Sequence, residues 1–538
     1  MLDFEIAIVG SGFAGSLLAL ICRRLGRSVV LIEKGSHPRF AIGESSSPLA
    51  NLLLEELSDR YDIPRIRPLS SWGTWQAAYP KIGCGLKRGF SFYGHEAGGP
   101  FRADSERRDQ LLVAASPRDE VADTHWFRAD FDQFLVNEAE GEGVEYLDHT
   151  ELTALEDRAD GVAVSGRRSD GGPLHLNARL LVDASGARGF IHKALRLREG
   201  SFPGLPATQS LFTHFEGVRR WDEMEVLKDL GKPPYAVDDA ALHHVFDGGW
   251  IWVLRFNNGV VSAGVAAAPW LAEELRLSEG VNGWDRLLAR FPSIREQFRD
   301  ARALRPFVFV DRLPFRSAAA AGTNWALLPS AAAFVDPLLS TGFPLTLLGV
   351  ARLADAIEHS WGMPEFEKQL EAHGAKTLEE ADTAAALVAA LYASFADFEL
   401  FAALSLLYFA AVSFAETARR LGRADLAGSF LGGDHPAFGP ALSDCCRRAI
   451  RMGKTGTSSA ERADLISRIF AAIEPWDVAG LTDGCRRRWH PMEAAPLLAA
   501  SHKLGVSPHE IEAMLVRSGF WAQASTGAAS ERAGCYSG

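Results

Sequence analysis

The most constraining stretch of this chain lies at its start. Residues 4–9, FEIAIV, form a short β-rich run. Gly10, Ser11, Gly12, Phe13, Ala14 and Gly15 follow, and a helical pattern then runs through Leu17, Leu18, Leu20 and Ile21 to Leu25. A second β-rich run, Val29 to Ile32, ends at Glu33. Each part has a physical role. Gly10 permits a tight turn, Gly12 lets a pyrophosphate approach bare backbone, and Gly15 lets helix and strand pack closely. The helix start offers free N–H groups and the positive end of a dipole to phosphates. Glu33 stands where a carboxylate can bind ribose hydroxyls. GxGxxG alone is common in turns, but strand, glycines, helix, strand and acid at this spacing predict a βαβ dinucleotide-binding unit and an α/β fold.

At 538 residues the chain is too long for one core, so two or three packed modules are expected. A formal net charge of −12 argues against a nucleic-acid partner, which requires a basic face. The six cysteines, Cys22, Cys84, Cys445, Cys446, Cys485 and Cys535, form no CxxC pair and no His/Cys zinc spacing. No metal site is expected, and reduced thiols suit a cytoplasmic chain. The N-terminal apolar run has no basic residues before it, so no signal peptide is expected. The apolar stretch Ala384 to Ala415 is interrupted by Asp397 and Glu399, and the clean run after them is too short to span a bilayer. Its aromatics, Phe395, Phe398, Phe401, Tyr408 and Phe409, predict a buried helix or pocket wall. The Ser-, Gly- and Ala-rich tail from about Gln523 reads as poorly ordered.

Two further segments specify the dinucleotide. Leu180 to Gly186, LLVDASG, reads as a strand ending in a small-residue turn at Asp183. Trp325 to Gly342, WALLPSAAAFVDPLLSTG, reads as a strand, a small-residue loop containing Asp336, and a helix start. With the opening unit, these resemble the FAD-dependent monooxygenase superfamily. One departure is Pro329-Ser330, where that family usually has Gly-Asp. No second GxGxxG unit for a nicotinamide cofactor is visible.

Four motifs narrow the chemistry. Gly43-Glu44-Ser45 followed by Pro48 makes a GES…P element. Leu86 to Phe92, LKRGFSF, reads as a strand with Lys87, Gly89 and Ser91 on one face and Leu86, Arg88, Phe90 and Phe92 on the other. Trp250 to Leu254, WIWVL, lies between the turn signals Asp247-Gly248 and Asn257-Asn258-Gly259 and predicts a strand entering a hairpin. Trp250, Trp252 and Leu254 then point one way, Ile251, Val253 and Arg255 the other. Ser340-Thr341-Gly342 follows Asp336-Pro337 and places backbone N–H groups where an anion can bind.

Together these motifs resemble the flavin-dependent halogenases of the tryptophan-halogenase superfamily, over about the first 360 residues. The resemblance implies that reduced FAD and O2 oxidise chloride or bromide held near Ser340, Thr341 and Gly342. The hypohalous acid then passes to Lys87, which orients it or carries the halogen to an electron-rich ring. Trp250 and Trp252 match the WxWxIP signature that separates substrate from flavin, with Leu254 and Arg255 in place of Ile and Pro. Gly43, Glu44 and Ser45 form a flavin-side loop, and Arg128 resembles an arginine that starts a helix beside the cofactor. Leu339 stands where the tryptophan-specific enzymes have Glu, pointing to a phenol or pyrrole, free or carrier-bound, in place of free tryptophan. His95, Tyr93 and His125 read as proton donors or structural groups.

The expected architecture is α/β. A Rossmann-like FAD module of the flavin monooxygenase type uses residues 1–75, 120–190 and 303–375. A sheet-rich substrate module uses 76–119 and 191–302, and 376–538 form a mainly helical C-terminal region. The expected activity is aromatic halogenation, with FADH2 supplied by a separate flavin reductase. The alternatives are an FAD-dependent monooxygenase or reductase acting on a hydrophobic substrate, and a non-catalytic flavoprotein.

Overall fold

The structure, a computed structural model, describes residues 2–224, 231–456 and 458–521. The tail from Gln523, and Cys535 within it, lie outside the described residues.

The opening unit folds as its spacing predicts. Strand Leu2–Val9 leads through the glycine turn into helix Phe13–Arg24 and then strand Val29–Ile32. Strand Pro173–Asp183 lies parallel on the other side of the first strand, and Trp325–Leu327 lies parallel to it in turn. Register brings Val9 opposite both Ile32 and Asp183, and Asp183 opposite Leu327. The carboxyl ends of four parallel strands therefore meet along one line, where open α/β sheets bind ligands. Strands Thr150–Arg158 and Gly161–Arg168 extend this sheet antiparallel, and Glu145–Leu147 closes the other edge.

The second sheet is mainly antiparallel. Its centre runs Gln209–Glu216, Val261–Ala267, Gly249–Arg255, Ala241–Phe246, Gly89–Gly94 and Gln110–Ala114. The expected hairpin is present: Gly249–Arg255 pairs with Ala241–Phe246 before it and Val261–Ala267 after it. Alternation along it also holds. Trp250, Trp252 and Leu254 join the main core, while Ile251 and Val253 join a separate core beneath helices Pro269–Leu275 and Val281–Arg290.

The LKRGFSF segment is not one strand. Cys84–Lys87 pairs with Asp123–Trp126 in a two-stranded ladder between the large sheets. At Arg88 the chain changes sheets: the Arg88 N–H donates to Asp239 O (2.7 Å), and its carbonyl accepts from Ala115 N (2.8 Å). A Cβ on Gly89 would lie 2.2 Å from Val113 O, so the crossing requires glycine. The break resets the alternation, and Lys87 Nζ sits 3.8 Å from the centre of the Phe90 ring instead of on the opposite face.

The C-terminal region is helical, but its boundary differs from that expected. Residue 376 falls inside helix Glu365–Ala393, and Trp489–His490 returns as an edge strand of the second sheet, parallel to Gln110–Ala114. Helix Phe398–Arg420 starts where Asp397 accepts from Leu400 N (3.2 Å). It is long and apolar enough to cross a membrane, yet 89% of its apolar window is buried. Phe401 and Phe409 pack against Phe92 and Phe90, so its apolar surface belongs to the core.

Candidate active site

A cleft follows the carboxyl ends of the parallel strands. At one end, Gly10, Glu33, Arg39, Ser185, Arg188 and Lys193 line a cavity of about 530 Å³. Gly10 has φ +95°, and a Cβ there would meet Ala184 backbone at 2.7 Å; a Cβ on Gly15 would lie 2.0 Å from Gly10 O. Both glycines close the turn by backbone contact. Gly12 differs, because its Cβ position faces the guanidinium groups of Arg128 (3.4 Å) and Arg39 (3.6 Å). Bare backbone at a helix start flanked by two cations fits a diphosphate. Glu33 accepts from Ser11 N–H, Ser11 Oγ and Gly35 N–H, each at 3.0 Å. Burial raises its pKa, but the Gly35 and Ser11 N–H bonds outweigh this and hold it below the usual carboxylate range. Glu33 and Gly10 line the same cavity. These residues together fit the ADP half of FAD.

Arg128 is the first residue of helix Arg128–Gly141. It makes two 2.7 Å bonds to Asp132 and one of 3.0 Å to Gly43 O, fixing the GES loop against the helix. Asp183 is placed differently from expectation. Its carboxylate accepts from Ser185 N, Ser185 Oγ and Ile191 N, so all three bonds go to its own loop. The side chain clamps the turn and does not line the cleft.

Past Phe13 and Arg128 the cleft continues into a cavity of about 210 Å³ between the two sheets. Gly43, Glu44, Ser45, Trp250, Trp252 and the 335–342 loop all border it, as does Ser330 at the altered Pro-Ser position. Trp252 fits its wall because the facing residue is Gly264, whose Cβ would lie 2.5 Å from the indole. Glu44 is buried and bonded to His214 Nε2 (2.9 Å). Asp336 is fully engaged. It accepts from Leu338 N (3.0 Å), Trp250 Nε1 (3.3 Å), Thr208 Oγ1 (3.3 Å) and Tyr392 OH (2.9 Å). Burial pushes its carboxyl up to about 6. Leu339 (φ +63°) and Ser340 (φ +54°) are both left-handed, an arrangement costly for residues with a Cβ, which turns the chain sharply into helix Gly342–Ser360.

Lys87 lies behind the junction of two cavity walls. Its Nζ donates to Ser45 Oγ (2.9 Å), Ser340 Oγ (3.4 Å) and Ser46 O. The side chain is fully buried, which lowers its pKa, while nearby Asp123 opposes the shift. The GES and STG motifs, remote in sequence, therefore meet at one ammonium group.

Comparison with known proteins accounts for this arrangement. A family described as FAD dependent oxidoreductase matches residues 5–328. The monodechloroaminopyrrolnitrin halogenase of Pseudomonas fluorescens is 33% identical over 407 residues, covering 74% of this chain and 69% of that protein. The chain belongs to the flavin-dependent halogenases. The tetracycline 7-halogenase of Kitasatospora aureofaciens is 32% identical, covering 64% of this chain and 61% of that protein. The crystal structure of halogenase PltM with phloroglucinol and FAD matches this halogenase with TM-score 0.79 and 26% identity, covering 90% of this chain and 99% of that one.

Several residues of this halogenase's site carry no sequence signal. Tyr392 reaches Asp336 from a C-terminal helix, His243 lines the main cavity, and Asp123 opposes Lys87 across a ladder. His95 and Tyr93 lie away from the site. His95 bonds His244 (2.9 Å) and both pack around Trp221, where burial holds His95 far below and Tyr93 far above their usual values. His125 is buried near Lys87 and is likewise held neutral by burial and then by the lysine's charge.

Proposed function

We propose that this chain halogenates an electron-rich aromatic ring, a phenol or pyrrole, using FAD, O2 and chloride or bromide. The observation that carries the reading is the buried Lys87 ammonium held between Ser45 and Ser340, at the seam between the flavin-side cavity and the core beyond it. Bound reduced FAD supplies the oxygen chemistry that makes halide electrophilic. The protein contributes position. The first turn of helix Gly342–Ser360 presents backbone N–H groups of Thr341 and Gly342 toward an anion. Trp250 and Trp252 wall the cavity against a second ring, and Lys87 stands behind Ser45 and Ser340 of the same cavity, where a small oxidant can be held by hydrogen bond or covalently. Leu339 in place of an acid leaves no carboxylate to hold a free amino acid there. Halogenases of pyrrole-2-carbonyl carrier proteins and the PltM complex with phloroglucinol support pyrrole and phenol rings, free or carrier-bound, as the substrate class.

The test is single-turnover reaction of reduced enzyme with O2, halide and a panel of phenols, pyrroles and indoles. Lys87→Ala should leave FAD binding and reoxidation nearly unchanged while halogenated product falls about 100-fold or more. Lys87→Arg should fail nearly as badly, because a guanidinium stays charged and planar. Arg88→Ala is the control: its guanidinium contacts Ser116 and Asp119, away from the cavity. Near-wild-type halogenation by Lys87→Ala would remove the lysine from the mechanism, and oxygen insertion without halide would make the enzyme a monooxygenase.

A further inference from the structure

Lys87 ends one strand of the small ladder, and its antiparallel partner is Asp123, the first residue of the other. Directly opposed residues project to one face, with Cβ atoms about 4.5–5.5 Å apart. Both side chains are buried, and Asp123 Oδ2 has no hydrogen-bond partner. A buried carboxylate oxygen left unpaired is costly, so a neighbouring proton or cation is required to balance it.

The surroundings single out Asp123. Lys87 Nζ touches only neutral acceptors, on Ser45, Ser46 and Ser340. His125, on the same strand as Asp123, and His243, on strand Ala241–Phe246 of the second sheet, are both held neutral by burial and by the lysine's charge. Helix Phe398–Arg420 brings Glu416, Arg420 and Tyr408 toward Asp123, but Glu416 is already paired with Arg420 at 2.8 Å. Glu44, on the GES loop, is paired with His214. Among the described residues near Lys87, Asp123 is the carboxyl without a cation of its own. Burial lowers the lysine's pKa and raises the aspartate's, and each group's charge opposes the other's shift.

We propose that Asp123 is the positioning residue for Lys87, taking the proton that the lysine gives up. In this step Lys87–NH3+ and Asp123–COO− become Lys87–NH2 and Asp123–COOH. One N–H bond breaks, one O–H bond forms, and nothing else is consumed. No direct hydrogen bond joins the two side chains, so the transfer requires a bridging water. The amine is then neutral, with one N–H fewer to give to Ser45, Ser46 and Ser340. This rests on the reading of Lys87 as the group that delivers halogen, but the proton pairing is tested apart from it.

The primary test is NMR titration of FAD-loaded protein labelled at lysine 13Cε, with the Lys87 signal assigned by its loss in Lys87→Ala. Asp123→Asn removes the countercharge, so Lys87 should titrate lower by about one pH unit or more. The acid limb of the halogenation pH profile should move with it, and Asp123→Glu should restore both. A Lys87 titration unchanged in Asp123→Asn would overturn the proposal. A second measurement needs no variant of Asp123. Infrared spectra of wild-type protein labelled with 13C-aspartate should show a buried protonated carboxyl whose band changes over the same pH range as the Lys87 signal, and independent titration would likewise overturn the pairing. If Lys87→Ala still halogenates while the two groups titrate together, the proton pairing stands and the delivery role falls.

Discussion

Gly12 and Gly15 lack side chains for different reasons, and the difference makes a prediction. A Cβ on Gly15 would strike Gly10 O at 2.0 Å, backbone against backbone, with no flexible group to yield. A side chain at Gly12 would meet only side-chain ends, those of Arg128, Arg39 and Asp132, at 3.4 Å or more. Gly15→Ala should therefore destabilise the fold by about 3 kcal/mol or more, seen as a lowered melting temperature or insoluble protein. Gly12→Val should fold, with near-native circular dichroism, and lose flavin absorbance because its branched side chain fills the diphosphate site. A Gly12→Val protein at wild-type FAD occupancy would refute the phosphate-loop assignment. At this scale the sequence was readable where a residue's role is local. Gly10, Gly12, Gly15 and Glu33 act within one βαβ unit, so their spacing carried their geometry. Asp183 was not readable, because a carboxylate at a strand end can face the cleft or its own loop, and only the positions of Ser185 and Ile191 decide which.

Between elements, one network joins what the sequence keeps far apart. Asp336 accepts from Trp250 on the hairpin, Tyr392 on helix Glu365–Ala393 and Thr208 at the entry to the second sheet. Burial pushes its carboxyl up to about 6, against 3.8 for a free aspartate. The folded state therefore binds more protons than the unfolded state between about pH 4 and 6, so this group favours the folded state at low pH and that contribution is lost as pH rises through the window. The loss is at most about 3 kcal/mol. Asp336→Asn should remove it, since Thr208 and Tyr392 hydroxyls can turn to accept from the amide. Thermal melts from pH 4 to 7 should show the variant gaining on wild type as pH rises, and parallel curves would refute the shift. Element order and hairpins were legible because periodicity reports local backbone. The sheet change at Arg88 was not, because alternation assumes an unbroken strand, and LKRGFSF satisfies it across a break that only Asp239 and Ala115 reveal. Tyr392 was equally hidden, lying in an apolar run that reads as a buried helix or pocket wall without singling out its hydroxyl.

Among the described residues, the glycine turn feeds the parallel strands of the first large sheet, and the second large sheet is mainly antiparallel. Among the described residues, no second strand–glycine–helix unit stands at the carboxyl ends of parallel strands. The sheet facing the flavin-side cavity presents Trp250, Trp252, Leu254 and Phe212, and the cavity is about 210 Å³. Such a wall offers stacking surface for a flavin edge but no diphosphate site for a nicotinamide dinucleotide, which would need bare backbone and paired cations like those around Gly12. Of the basic groups of the cleft, Arg39, Arg188 and Lys193 line the cavity beside Gly10, and Arg128 lines the flavin-side cavity paired with Asp132. We propose that electrons arrive with the flavin itself, reduced elsewhere by a separate flavin reductase. Purified protein mixed anaerobically with NADH or NADPH should keep its oxidised flavin absorbance over many minutes. Adding a catalytic amount of any flavin reductase with free FAD should bleach it and restore product formation. Rapid bleaching by NADPH with the purified chain alone would place a nicotinamide site on this protein and move it toward the self-sufficient hydroxylases.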